Sequence, residues 1–180
     1  MINQNEPLAY RIRPKTLEQY VGQEHVIGEG KILYRTIKAD RLSSIILFGP
    51  PGCGKTSLAR VISETTKYKF YKINAVTSGV ADIKRVIEET KNFMLNPTGK
   101  SILFIDEIHR FNKLQQDALL PYVENGTIIL IGATTENPYF EVNKALISRS
   151  MVIKLEPLTT ENIYTILKNA LKSKEGLRRI

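Results

Sequence analysis

The residues with the clearest chemical pattern form one short stretch, Gly49–Thr56, which reads GPPGCGKT. This stretch fits the spacing G-x-x-x-x-G-K-[ST], in which glycines let backbone N–H groups converge on phosphate oxygens. The lysine and the hydroxyl that end it, Lys55 and Thr56, are the types that contact the β- and γ-phosphates and Mg²⁺. The sequence therefore predicts binding of a nucleoside triphosphate. The expected nucleotide contacts here are Pro51, Gly52, Cys53, Gly54, Lys55, Thr56 and Ser57.

The flanks of this stretch support the interpretation over an ordinary Gly/Pro turn with an exposed lysine. Before it, Ser44–Phe48 is an apolar run that predicts a buried strand. After it, Leu58, Val61 and Ile62 recur at the spacing of a helix with one apolar face. A strand, a glycine loop and a helix are the context that the motif requires, and the helix N-terminus favours an anion.

A second apolar run, Ser101–Ile105, predicts a strand that ends in two acids, Asp106 and Glu107. Because Mg²⁺ accepts few carboxylates and keeps much of its water, Asp106 is expected to hold the ion through that water. Glu107 is expected to polarise a water for attack on the γ-phosphate. The alternative is a solvated loop, where acids are common.

Other polar residues carry weaker signals. Thr134 and Thr135 end a predicted strand and place a hydroxyl near the γ-phosphate, or are ordinary strand residues before a turn. His109 is left out of the catalytic set, because a single histidine is more often structural. Cys53 is interpreted as a tolerated side chain whose backbone alone faces phosphate. No N-K-x-D guanine signal is present, so the expected base is adenine.

Predicted strands alternate with predicted helices, which favours a parallel α/β sheet. The further strands are expected at residues 70–74, 127–133 and 151–155. Pro7–Pro14 is predicted to be extended, because proline biases the preceding residue away from helix. Leu114, Ala118 and Val123 predict one helix that Pro121 kinks.

The segment Glu156–Leu158 is interpreted as a domain boundary. Residues 1–156 are expected to form the nucleotide-binding α/β domain, and residues 157–180 the beginning of a truncated helical second domain. Thr159 or Thr160 is expected to cap a helix. The residues expected to face inward from it are Ile163, Ile166, Leu167, Ala170 and Leu171.

The composition bounds the function only loosely. With 180 residues, 42% hydrophobic and 24% charged, the chain is an ordinary globular sequence, without a run of eighteen apolar residues for a membrane span. One cysteine fits a reducing cytoplasm. The net charge of +8 is compatible with DNA as a partner, but the lysines are scattered and a solvated surface explains them equally well.

Taken in order, these motifs resemble the AAA+ ATPases of the clamp-loader and RuvB-like group, and more narrowly the replication-associated recombination protein A family. The phrases that carry the resemblance span residues 7 to about 171: PLAYRIRPKTLEQYVGQEHVIG, GPPGCGKT, IDEIHRFNKLQQDALLPYVENGTIILIGATTENPYFEVNKALISRS and LEPLT. They are far more specific than the glycine loop alone.

The resemblance implies a five-stranded sheet with the strand that carries the γ-phosphate sensor between the phosphate-loop and acidic strands. It implies that Thr135 (or Thr134) is this sensor and that Arg149 is an arginine finger acting on a neighbour's ATP. Part of an adenine pocket is implied for Arg13, Pro14, Val21 and Gly22. From spacing alone, the apolar groups Ile12, Pro14, Val21 and Ile27 are expected merely to cap the core.

By the same resemblance, the cofactors are ATP or ADP with Mg²⁺, and the role is ATP hydrolysis at stalled or gapped replication forks. The implied partners are DNA forks, gaps or single-strand/double-strand junctions, single-stranded DNA-binding protein, and copies of the chain in a tetramer, with no membrane. The implied location is the bacterial cytoplasm, associated with the nucleoid. This sequence is less than half as long as the proteins of that family, lacks the sensor 2 arginine of the lid, and has Cys53 where threonine is common. The fragment is therefore expected to hydrolyse ATP weakly and to be monomeric.

Two other functions remain open from the sequence. One is a RuvB-like branch-migration motor, indicated by DEIHR and GATT. The other is a non-hydrolysing, clamp-loader-like nucleotide switch, which the combination of Glu107 and Arg149 disfavours.

Overall fold

A parallel sheet forms the centre of the protein. The computed structural model describes residues 6–66, 68–173 and 176. Its five strands lie in the order β2-β3-β4-β1-β5, and every neighbouring pair is parallel. The strands are β1 Ser44–Phe48, β2 Lys69–Asn74, β3 Ser101–Asp106, β4 Ile128–Thr134 and β5 Ser150–Lys154. The predicted fold is confirmed, including the position of β4 between the strands that precede the glycine loop and the acids.

Helices cover both faces of the sheet, as parallel strands require. The helices are α1 Leu8–Arg11, α2 Glu24–Ile27, α3 Ile32–Lys38, α4 Lys55–Thr66, α5 Val80–Lys91, α6 Lys113–Asp117, α7 Leu120–Glu124, α8 Pro138–Glu141, α9 Lys144–Ile147 and α10 Thr160–Lys172. Short 3₁₀ turns span Leu17–Gln19 and Ile108–Arg110. Among the described residues, no helix is both long and apolar enough to cross a membrane.

Two apolar clusters hold these layers together. On one face, Leu33 and Ile37 of α3 and Leu58 and Ile62 of α4 pack against the sheet. On the other face, the buried side of α5 packs against alternate residues of the same strands. Adjacent residues such as Ile45 and Ile46 therefore enter opposite clusters, because side chains of a strand alternate between faces. The resulting rigid sheet brings the carboxyl ends of all five strands to one edge.

Two local predictions are wrong. Within Pro7–Pro14, residues Leu8–Arg11 are helical, because Pro7 sits at the N-cap and Pro14 restricts only the residue before it. The predicted single helix around Pro121 is instead divided into α6 and α7, with the proline in the first turn of α7, where its missing N–H costs nothing. Leu114, on α6, is exposed.

The prediction for the C-terminal helix is only partly right. Thr159 is its N-cap and accepts a hydrogen bond from the backbone of Asn162. Ala170 is buried, but most of the apolar stripe is exposed because no described element packs over it. The exposed members of the stripe are Ile163, Leu167 and Leu171.

Candidate functional site

The glycine loop joins the end of β1 to the start of α4, and two of its glycines sit where no side chain fits. A Cβ at Gly49 would lie 2.4 Å from the carbonyl oxygen of Leu155, and one at Gly54 would lie 2.5 Å from Tyr20 Oη. Gly52 has φ of 77° and open space around it. The loop is therefore held tightly at both ends and exposes bare backbone between them, which is the arrangement that phosphate binding requires.

Lys55 is the first residue of α4 and is 92% buried, with a relative exposure of 8%. Its Nζ donates to the carbonyl oxygens of Gly49 at 2.7 Å and Pro50 at 2.8 Å. Carbonyl oxygens satisfy the hydrogens of the ammonium group without neutralising its charge, so a positive charge lies under the loop at a helix N-terminus. These features fit a phosphate group.

A cleft of about 760 Å³ adjoins the loop, within the range of roughly 300–1,000 Å³ that is usual for ligand sites. Its lining includes residues from the N-terminal segment, the glycine loop and α10. Those that the sequence predicted are Arg13, Pro14, Val21, Gly52, Cys53, Gly54 and Ser57. Pro51, Lys55 and Thr56 are not among its lining residues, and Gly22 is buried against Leu158 and Asn162 instead.

Tyr20 and Gln23 connect the N-terminal segment to the glycine loop. Tyr20 Oη donates to the Gly54 carbonyl at 3.2 Å, and burial raises the pKa of this phenol, so it remains a donor. Gln23 Nε2 donates to the carbonyl oxygens of Cys53 at 3.2 Å and Glu156 at 2.7 Å. The Glu156 N–H donates back to Gln23 Oε1 at 2.9 Å. One buried amide therefore ties the loop to the segment that precedes α10.

The predicted acids lie at the same edge of the sheet as the loop. Asp106 ends β3 and contacts Lys72 Nζ at 3.6 Å. Glu107 follows with φ of 56°, the left-handed region that non-glycine residues rarely enter. Only β4 separates β3 from β1, so the strands that lead to the acids and to the loop are roughly 10 Å apart. In the described residues there is no cluster of three or more potential metal ligands.

The structure distinguishes the two threonines that the sequence left open. Thr134 is the last residue of β4, is fully buried, and has its Oγ1 2.8 Å from His109 Nδ1. Thr135 is the next residue and is exposed. The Thr135 side chain is therefore the freer of the two to meet a ligand, whereas the Thr134 hydroxyl is engaged inside the protein.

Arg149 lies outside the cleft. It follows α9, and its Nη2 forms an ion pair with Glu124 Oε1 at 2.7 Å, while Nη1 donates to the Ala145 carbonyl at 2.9 Å. Both partners of the ion pair are exposed, with side-chain exposures of 41% for the arginine and 48% for the glutamate. Within one chain, therefore, this guanidinium is bound to α7 and not to the glycine loop.

Both the sequence and the fold of this chain match a known protein family. A sequence model of the Holliday junction DNA helicase RuvB P-loop domain matches residues 12–160. The chain belongs to this RuvB P-loop domain family. A solved member, the Thermotoga maritima RuvB Holliday junction branch migration motor, superposes with a TM-score of 0.73 at 29% identity. The match covers 89% of this chain and 54% of that one.

Within the RuvB P-loop family, curated relatives of higher identity have another name. Replication-associated recombination protein A of Escherichia coli K12 is 52% identical over 172 residues, which are 96% of this chain and 38% of that protein. The ATPase WRNIP1 of Dictyostelium discoideum is 51% identical over 166 residues, which are 92% of this chain and 19% of that protein. The resemblance to replication-associated recombination protein A is confirmed. The chain spans less than two fifths of the length of these relatives.

Sequence reasoning missed two residues that this member of the RuvB P-loop family brings to its site. The sequence assigns Gln23 no role, because it lies in the mostly polar run 18–25 and its two partners are distant in the chain. His109 was set aside as structural, yet its ring lies between Glu107 and Thr134. Its spacing of two from the acid was visible, but the contact with Thr134 depends on the register of β3 against β4.

Proposed function

We propose that this domain binds ATP with Mg²⁺ and hydrolyses it at the sheet edge formed by the glycine loop and the two acids. The observation that carries the proposal is the buried Lys55 ammonium at the start of α4, held under a glycine loop one strand away from Asp106 and Glu107. Membership in a family of P-loop ATPases supports the same chemistry.

Each residue has a defined part in this proposal. Lys55 binds the β- and γ-phosphates, and Thr56 with Asp106 holds the metal ion, which neutralises charge on the phosphates when bound. Glu107 accepts a proton from the attacking water. Thr135, exposed at the end of β4, contacts the γ-phosphate.

The adenine base is proposed to lie in the cleft beside the loop. Arg13, Pro14 and Val21 line this cleft, and Gly22 borders it through its packing on Leu158. We divide the chain at residue 156, with residues 157–180 as the start of a helical lid. The exposed apolar residues of α10 and the contribution of Ile166 and Ala170 to the cleft wall support this division.

Arg149 is proposed to act on the nucleotide of a neighbouring subunit. Its exposure and its position outside its own cleft support a role in trans. This requires assembly into a homo-oligomer, which we propose to be a tetramer in the longer protein.

For the longer protein we propose maintenance of stalled or gapped replication forks, with DNA junctions and single-stranded DNA-binding protein as partners, in the bacterial cytoplasm at the nucleoid. The 52% identity with replication-associated recombination protein A supports this role over that of a branch-migration motor, because the RuvB motor is only 29% identical.

Binding and hydrolysis are tested separately with two variants. Lys55→Ala removes the charge that faces the phosphates, so calorimetry is expected to detect no Mg-ATP binding. Glu107→Gln keeps the shape of the side chain but cannot accept a proton, so it is expected to bind ATP and lose turnover. The control is Lys113→Ala, an exposed lysine on α6. Normal Mg-ATP binding by Lys55→Ala would refute the site.

A further inference from the structure

We infer that His109 is a positioning residue, which holds Glu107 in place and links it to the glycine loop through Thr134. The inference rests on the proposed function, because it assigns Glu107 as the group that activates water. It adds a residue to which neither the motif nor the family match assigns a role.

The His109 ring occupies the space between the acid and the end of β4. Its Nε2 lies 3.4 Å from Glu107 Oε2, and its Nδ1 lies 2.8 Å from Thr134 Oγ1. The histidine side chain is only 8% exposed, whereas Glu107 is 32% exposed. A buried ring therefore faces a carboxylate that itself reaches solvent.

The polar groups around the ring suit the tautomer with its hydrogen on Nε2. Thr134 Oγ1 accepts the Glu136 N–H at 3.0 Å and lies 3.5 Å from the Glu136 carbonyl oxygen and 2.8 Å from His109 Nδ1. In this tautomer Nδ1 accepts from the Thr134 hydroxyl, and the Nε2–H faces the carboxylate of Glu107. An N–H that faces a carboxylate restricts the rotation of that carboxylate.

The backbone supports the same arrangement. Glu107 has φ of 56° and begins the 3₁₀ turn Ile108–Arg110, which brings His109 back beside the acid. Such a conformation is strained for a residue with a side chain and persists only where the surroundings enforce it. Ile108, which is fully buried between the two functional residues, anchors the turn.

Thr134 also contacts the glycine loop. The N–H of Gly49 donates to the Thr134 carbonyl at 3.2 Å, so one residue joins the loop through its backbone and His109 through its side chain. A change in the loop when phosphate binds therefore has a direct path, through Thr134 and His109, to the carboxylate of Glu107. Since a general base acts only at hydrogen-bond distance from its water, this path bears on the rate of hydrolysis rather than on binding.

Two substitutions at His109 separate its two contacts. His109→Gln keeps an amide N–H near the position of Nε2, and His109→Asn keeps an amide near Nδ1. Thr134→Val removes the hydroxyl with little change in shape. The matched control is His25→Asn, because His25 is the other of the two histidines in the chain, is exposed, and contacts only the Lys154 carbonyl among its described partners.

The measurements are single-turnover ATP hydrolysis, Mg-ATP affinity by calorimetry and thermal unfolding. We expect His109→Asn to lower the hydrolysis rate by at least about tenfold, with ATP affinity within about twofold of wild type. His109→Gln is expected to retain more of the rate, and Thr134→Val to lose part of it. In a Glu107→Gln background, His109→Asn is expected to cause no further loss, because the carboxylate that it positions is gone.

The outcomes distinguish this inference from the proposed function. If Glu107→Gln hydrolyses ATP at the wild-type rate, the proposed base is wrong. If Glu107→Gln loses hydrolysis while both His109 variants keep the wild-type rate, the positioning role is overturned. Equal rate losses from His109→Asn with and without Glu107 would also overturn it, because a merely structural histidine would act additively. Should His109→Asn fail to fold, His109→Gln and Thr134→Val provide the same comparison.

Discussion

At the scale of single residues, the glycine loop separates the roles of side chain and backbone. The Cys53 side chain is 1% exposed and lies inside the protein, 3.8 Å from Lys55 Nζ, while its carbonyl accepts a hydrogen bond from Gln23. The sequence-based interpretation that only the backbone of this residue faces phosphate is consistent with that burial. The fold itself covers the thiol.

Cys53 is therefore expected to react slowly with a maleimide in the folded chain, with or without ADP. Unfolding in guanidinium should expose the thiol and accelerate its labelling by several orders of magnitude. The chain has one cysteine, so mass spectrometry of the intact protein reports this site alone. Fast labelling of the folded chain that ADP suppresses would contradict the buried position.

Tyr20→Phe tests the contact between the N-terminal segment and the loop. The substitution removes the hydrogen bond to the Gly54 carbonyl and is expected to lower the free energy of unfolding by about 1 kcal/mol. Urea unfolding measures this loss. The control is Tyr164→Phe, at an exposed position on α10, which should change stability little. Equal effects of the two substitutions would exclude a contribution from the Tyr20 hydroxyl.

At the scale of elements, the segment around Gly22 connects the α/β domain with α10. Gly22 has φ of 85°, and a Cβ there would lie 3.0 Å from Leu158 and 3.2 Å from Asn162. Gln23 holds Glu156 through two hydrogen bonds. The start of α10 is therefore attached to the same segment that contacts the glycine loop.

Gly22→Ala and Gly30→Ala form a matched pair for this contact. Both glycines have φ of 85°, but a Cβ at Gly30 would meet no atom within 4 Å. Both variants pay a backbone penalty of roughly 1–2 kcal/mol. Gly22→Ala is expected to lose roughly a further 1–3 kcal/mol from crowding against α10, measured by urea unfolding. Equal losses of unfolding free energy from the two substitutions would show that Leu158 and Asn162 shift without cost to make room for the added methyl group.

At the scale of the whole molecule, the Arg149 guanidinium has a partner within its own chain. Its ion pair with Glu124 connects the turn before β5 to α7 at the protein surface. If the arginine acts on a neighbour's nucleotide, assembly must exchange Glu124 for phosphate. Because both partners are exposed, this exchange costs little, with pairs of this kind typically contributing under about 1 kcal/mol.

Arg149→Ala is expected to bind ATP normally and to hydrolyse it poorly once subunits assemble, since arginine fingers contribute roughly 10³–10⁵ in rate in other P-loop enzymes. Mixing Arg149→Ala with Glu107→Gln subunits should restore part of the activity, at sites that pair an intact Glu107 with a neighbour's Arg149. The control is Arg85→Ala, at an exposed arginine on α5. A mixture without recovery, despite co-assembly proven by sedimentation, would argue against action in trans.

Glu124→Gln tests the exchange itself. Removing the charge of Glu124 frees Arg149 from its ion pair. At protein concentrations where assembly is incomplete, ATP turnover is therefore expected to rise, by no more than about fivefold. The rate measured against protein concentration reports the effect, and Glu88→Gln, at an exposed position on α5, is the control. A fall in turnover would indicate that Glu124 orients the arginine for its neighbour.

The sequence by itself determined the parts of this protein that depend on neighbouring residues. The glycine loop, the helix that begins at Lys55, and the strand that ends at Asp106 follow from local composition and periodicity, because backbone geometry and hydrophobic alternation act over a few residues. The helix at Leu8–Arg11 and the break before Pro121 were mispredicted, because a proline restricts one neighbour and not a whole segment.

Only the tertiary structure decided which distant residues meet. Thr134 and His109 are 25 residues apart, and Gln23 and Glu156 are 133 apart, so neither contact has a local signature. The first depends on the register of β3 against β4 and the second on where β5 ends beside the glycine loop. The burial of Thr134 beside the exposed Thr135 also depends on the tertiary structure, because both faces of β4 are covered along its whole length and the strand ends at Thr134.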